Sequence, residues 1–219
     1  MHMKLKPALV AFAAVLILAS APAFALAGEP VLDPSEADVT FAGSGEGAVV
    51  HTVWMGNISC QKADVSGTIN TGGKSGSMTI HLTGCHVINL GITTPCQSIS
   101  APLSNTIKLA GTFETTYLTD GKTKPGIKFT IASTPIGCGF GSPQTVATLS
   151  GSALATLSAP ACGAASNKGT ISFVSDLQIT GTGPSIAWTS TSKSGTEATG
   201  GLSASLAIEF SKSTTITCV

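Results

Sequence analysis

Beyond its first 27 residues the chain alternates apolar and polar side chains with a period of two, and no window of 12 or more residues keeps a helical apolar period. Residues 76–85 place Met78, Ile80 and Leu82 on one face and Thr79, His81 and Thr83 on the other, the pattern of a half-buried strand. Residues 105–118 align Ile107, Leu109, Phe113 and Tyr117, residues 126–133 align Ile127, Phe129 and Ile131, and residues 202–210 alternate from Leu202 to Phe210. Weaker strands are predicted over 48–55, 63–69, 145–157, 169–179 and 185–189. Thr119-Asp120-Gly121-Lys122 reads as a hairpin turn between two of the strong strands. About ten short strands with Gly, Pro, Asn and Ser between them predict a single all-β domain over residues 36–219. An antiparallel β-sandwich is the expected architecture, in preference to a β-barrel.

The first 27 residues follow a different rule. Lys4 and Lys6 precede an apolar run over 8–18, and Ala23-Phe24-Ala25 and Ala25-Leu26-Ala27 supply small residues for cleavage. The run is too short to span a bilayer well. Residues 1–27 are therefore expected to be a secretory signal peptide cut after Ala27. Residues 28–35, with two prolines and no periodicity, read as a flexible N-terminal linker. No second long apolar stretch follows, so no transmembrane segment is expected in the mature chain. The expected location is secreted, in the medium or on the cell wall.

Charge narrows the partners. The chain has 11 Lys and no Arg. Cleavage leaves nine Lys against all 11 acids, a formal charge of −2. Bidentate phosphate recognition leans on the guanidinium fork, and scattered lysines make no basic stripe. No nucleic acid partner is expected, and anionic membrane surfaces are disfavoured.

Candidate chemistry is sparse. His51, His81 and His86 have no carboxylate close in sequence and read as surface histidines, so no metal is expected. Gly43-Ser44-Gly45-Glu46-Gly47 and Gly137-Cys138-Gly139-Phe140-Gly141 fit neither a dinucleotide nor a P-loop pattern, and read as bends or strand ends. Glu114 and Glu209 alternate with apolar neighbours and should point outward, and no carboxylate pair suggests glycoside cleavage. Trp54 and Trp188 read as core or sheet-packing residues. No catalytic residue and no cofactor are expected. The six cysteines, Cys60, Cys85, Cys96, Cys138, Cys162 and Cys218, are even in number and lie beyond an export signal, without any C-x-x-C. They predict three disulfides, with 15 connectivities open.

Cys60, then Gly72-Gly73-Lys74-Ser75-Gly76-Ser77-Met78-Thr79-Ile80-His81-Leu82-Thr83-Gly84-Cys85, then Pro95-Cys96-Gln97-Ser98, and later Ile136-Gly137-Cys138-Gly139, resemble secreted, disulfide-containing β-rich proteins of unknown function from high-GC Gram-positive bacteria. The likeness covers about 80 residues and implies export, disulfides and an all-β fold, but no activity. It favours, in part, the pairs Cys85–Cys96 and Cys60–Cys138. Cys162–Cys218 is the remaining pair and would pin the C-terminal tail. The functional expectation is a non-enzymatic extracellular or cell-wall protein that acts by surface binding or as a structural component. The alternatives are a carrier of small apolar ligands inside a barrel and, after it, a secreted hydrolase.

Overall fold

A computed structural model of the chain describes residues 30–34, 39–52, 56–99, 105–118, 124–140, 145–158, 162–174, 186–190 and 196–217. Twelve strands run in order: β1 (Val31–Pro34), β2 (Val39–His51), β3 (Ile58–Ile69), β4 (Ser75–Thr83), β5 (His86–Asn89), β6 (Ile92–Ser98), β7 (Thr106–Tyr117), β8 (Pro125–Cys138), β9 (Thr145–Ser158), β10 (Ala165–Phe173), β11 (Ile186–Ser190) and β12 (Thr196–Thr217). Every strand pairing is antiparallel, and the strands close into an eight-stave barrel. β5 prolongs β4, β6 lies end to end with β7, β10 with β11, and β1 with β2, each pair sharing its flanking strands. The path around the wall is then a simple meander in chain order, sealed by β12 against β2 through Phe210↔Phe41.

This corrects the expected sandwich. Period-2 alternation is identical in the two architectures, since each buries one face of every strand. The difference lies in the seam: Thr40 N–H donates to Ser211 Oγ at 3.1 Å across 171 residues of sequence. The Gly-rich stretch near the start of β2, read as a bend, is part of this seam. A Cβ on Gly43 or Gly45 would run into the main-chain carbonyls of Ala207 and Ser205. Only glycine lets β2 approach β12 so closely, beside the bulge between Ser203 and Ala207.

Eight strands leave an interior just wide enough for side chains to fill. Phe41 stands opposite Gly67 and Phe113 opposite Gly76, and each ring lies where a Cβ on that glycine would be. The glycines bend the wall and the rings fill the space they leave. Phe41 meets Phe113 edge-on with centroids 5.9 Å apart, and Phe210 at 6.3 Å. The void among Leu32, Phe41, Ile69, Phe113, Ile127 and Phe210 is about 10 Å³, the size of one water. Outward positions are mainly Thr, Ser, Lys and Glu, with Ala42, Ala132 and Ala207 among them. Polar-out and apolar-in is the reverse of an outer-membrane barrel.

The cysteines also depart from expectation. Two disulfides lie wholly within the described residues, and their pairing differs from the expected one: Cys60–Cys85 and Cys96–Cys138; Cys162 is also disulfide-bonded. The four half-cystines form one lateral row across β3, the β4–β5 junction, β6 and β8. Cys85 and Cys96 are joined by a main-chain hydrogen bond, Cys96 N–H to the Cys85 carbonyl at 2.9 Å. Their outer neighbours are closer, with Cα–Cα distances of 4.0 and 4.1 Å, as at non-hydrogen-bonded sites of an antiparallel pair. The expected Cys60–Cys138 pair would join the ends of the row, three strand spacings or roughly 14 Å apart, beyond the reach of a disulfide. Once that pair is impossible, Cys85–Cys96 would strand both outer thiols. The third expected pair, Cys162–Cys218, involves Cys218, which lies outside the described residues.

Residues 105–118 and 126–133 are antiparallel neighbours as expected, from Gly111↔Ile131 to Tyr117↔Pro125; the turn residues Asp120 and Gly121 lie outside the described residues. Val31–Pro34, read as part of the flexible linker, pairs with the end of β12. Peptide mapping without reductant is expected to recover Cys60 joined to Cys85 and Cys96 joined to Cys138. A peptide linking Cys85 to Cys96 would contradict the row geometry.

Candidate functional site

The row of half-cystines is the base of a projecting hairpin. β5 and β6 are rich in β-branched residues and are joined by Leu90 and Gly91, both at positive φ (48° and 80°), the signature of a type I′ turn. Pairing of β5 with β3 ends at Ile58↔Val87, and pairing of β6 with β8 begins at Cys96↔Cys138. Among the described residues, 88–93 pair only with one another, through Ile88↔Thr93 and Asn89↔Ile92. The β5 leg thus rises about 10 Å, three residues, beyond its last pairing with β3 at Val87.

Its tip is apolar. Ile88 is 64% exposed, Leu90 97% and Ile92 60%. Type I′ turns take Asn, Asp or Gly at the first central position, because the left-handed region costs a side chain such as Leu about 1–2 kcal/mol. Leu90 therefore adopts a strained backbone and gains no burial for it. Phe140, 67% exposed, lies two residues beyond Cys138, the disulfide partner of Cys96. The alternation predicts no strand over 86–95, and a Cys85–Cys96 disulfide would have closed those residues into a loop, whereas they form this hairpin. The available signal was a Gly at the second turn position between two β-branched runs, without the Asn or Asp that makes such a turn conspicuous.

The barrel wall offers a second surface. Thr40, Thr68, Ser77, Thr112, Thr130 and Ser152 are successive register partners and form a belt of hydroxyls across six strands. Thr68 Oγ1 and Ser77 Oγ are 2.8 Å apart, and Thr130 Oγ1 and Ser152 Oγ 3.1 Å. Part of the belt lines an open groove of about 690 Å³ bounded by Glu209 and Ser211. Glu209 is ion-paired with Lys168 at 3.2 Å, both exposed, and Asp64 with Lys62 at 2.8 Å. Such pairs add little stability. Glu114 and Glu209 face outward, as their alternation predicts.

The three histidines lie apart in the chain's geometry. His81 sits on the outer face of β4, between Asp64 and Lys108 in register. His86 Nδ1 lies 3.2 Å from the Gly84 carbonyl at the root of the hairpin. His51 is the one with side-chain partners: Nε2 is 3.0 Å from Ser203 Oγ, and Nδ1 is 3.2 Å from Asn57 Oδ1. An amide oxygen only accepts, so with Asn57 Oδ1 as its partner a neutral ring carries the proton on Nδ1 and leaves Nε2 to accept the Ser203 hydroxyl. Chain order hid this trio, since Ser203 reaches His51 only when the barrel closes. No group of three potential metal ligands is assembled among the described residues. Trp54 lies outside them.

Comparison with protein-family models, with curated proteins and with solved structures finds no match.

The His51–Ser203 bond crosses the β2–β12 seam, so its removal is measurable. His51→Ala and Ser203→Ala are each expected to cost about 1 kcal/mol in urea unfolding, with a coupling of 0.5–1.5 kcal/mol in the double variant. His81→Ala should leave the midpoint unchanged. Additive losses at His51 and Ser203 would mean that the bond does not form.

Proposed function

We propose that the protein is a secreted, non-enzymatic domain that acts outside the cell by surface contact, with the β5–β6 tip as its contact element. The observation that carries this reading is Leu90: a leucine at positive φ, 97% exposed, at the apex of a hairpin with a disulfide on each leg. Strained backbone and exposed apolar side chains persist where a partner uses them. The void within the aromatic cluster is the size of one water, which supports contact from the outside in preference to carriage in that part of the barrel. The disulfides suit an oxidising compartment. The hydroxyl belt supplies a broad, adaptable hydrogen-bonding wall behind the tip. The resemblance to secreted proteins of high-GC Gram-positive bacteria supports the same placement.

Retention on isolated envelopes of such a bacterium tests the reading. Leu90→Asn relieves the turn, since Asn tolerates positive φ, and removes the apex. It is expected to lower retention about tenfold while the melting temperature holds or rises. Equal retention of both proteins would remove the tip from the contact surface.

A second reading, a secreted hydrolase, is favoured by one observation. Ser203, His51 and Asn57 stand in the order of nucleophile, base and orienting group, with the tautomer that general-base catalysis needs. A fluorophosphonate probe discriminates. Labelling of Ser203 that His51→Ala abolishes would establish this reading, and an unlabelled Ser203 leaves the trio as a seam contact.

A further inference from the structure

We infer that the β5–β6 tip is an interfacial membrane anchor that seats Ile88, Leu90 and Ile92 at the headgroup–acyl boundary of an uncharged bilayer. This rests on the reading of the tip as the contact surface and names its partner.

The first argument is the distribution of apolar groups around the tip. Val87 is buried, so by alternation Ile88 continues the outer face. Ile92 shares the face of buried Cys96, but it stands above the rim, where no core remains to receive it. Leu90 is the apex. A protein partner covers one side of such a ribbon and leaves the others wet, whereas a bilayer surrounds it. Size points the same way. Stable protein interfaces take about 800 Å² and 20–30 residues from each partner, and this tip offers three apolar side chains, with Phe140 lower down, just beyond the end of the neighbouring β8.

Charge and backbone agree with lipid. Residues 86–107 contain no Lys, Arg, Asp or Glu, so insertion buries no formal charge. Asn89, Thr93 and Thr94 are the polar groups at the depth of the headgroups. The ribbon pairs with itself to its last rung, Asn89↔Ile92, so its main chain carries its partners into the interface. Phe140, tied to the hairpin leg through Cys138–Cys96, supplies a second anchor of the aromatic kind that favours this layer. A tip without lysine, on a mature chain of charge −2, selects neutral headgroups over anionic ones. The polar outer wall of the barrel confines insertion to the tip.

The test is co-sedimentation of the exported, oxidised protein, its N-terminus fixed by mass, with sucrose-loaded phosphatidylcholine vesicles. The wild type is expected in the pellet. Leu90→Asn should weaken partition about tenfold or more, and the triple change Ile88→Thr, Leu90→Asn, Ile92→Thr should bring it to background. Circular dichroism and disulfide mapping should match the wild type, since Thr and Asn suit those strand and turn positions. Adding phosphatidylserine should not strengthen binding. A wild type that stays in the supernatant, or a triple variant that pellets with it, overturns the inference. Vesicle binding absent while envelope retention still falls in Leu90→Asn overturns the membrane alone and leaves a protein or glycan partner for the tip. Envelope retention indifferent to Leu90→Asn overturns the contact reading with it.

Discussion

Four half-cystines in one row across four strands are the constraint on which the projecting end of this molecule depends. Cys60, Cys85, Cys96 and Cys138 are all buried, and the row alternates disulfide, main-chain hydrogen bond, disulfide. Each leg of the β5–β6 ribbon is thereby fastened covalently to the strand outside it and by hydrogen bond to the other leg. The loops closed have sequence separations of 25 and 42 residues, worth about 3–4 kcal/mol each on the chain-entropy model. An isolated two-stranded ribbon is marginal in water. One rooted in a barrel wall by two cross-links keeps its register even with an unfavourable turn residue at its apex.

The rest of the barrel supplies the foundation. Its closure needs close approach at the β2–β12 seam, which Gly43 and Gly45 permit, and curvature, which Gly67 and Gly76 permit. Phe41 and Phe113 then occupy the space opposite those glycines, and their edge-on contact ties the two sides of the bend together. Among the described residues, this part of the interior is spent on packing. A ligand cavity here would have to be carved out of the phenylalanine cluster, at a cost of several kcal/mol for each large side chain lost.

Most of the wall was legible in the sequence. Wherever one face is buried and the other wet, alternation is a direct image of the fold, and residues 76–85, 105–118 and 202–210 fall on β4, β7 and β12. Closure was not legible, because a strand looks the same in a sandwich and in a barrel, and the deciding contact is the seam between the first and last strands. Nor was the cysteine pairing. In the row, Cys85 has Cys60 on one side and Cys96 on the other, so proximity in sequence favours the wrong neighbour. The hydrogen-bonding phase of the ladder, which decides it, is a property of register and not of spacing. The tip escaped for a related reason. Leu90 breaks the residue preference of its turn, and a rule built on preference passes over the position where preference is overridden.

That override is what separates the tip from ordinary surface. Scattered apolar residues on a protein exterior need no account. Here three of them surround one apex, within a stretch of the chain free of formal charge, on a ribbon that stands above the wall. Asn in place of Leu90 would suit the turn better, would ease its strain and would leave the barrel untouched. Among the described residues nothing calls for the leucine, whose side chain is almost wholly exposed. The membrane reading gives the residue a role outside the chain, since a self-paired, uncharged apolar point is a form that a fluid apolar medium accepts readily.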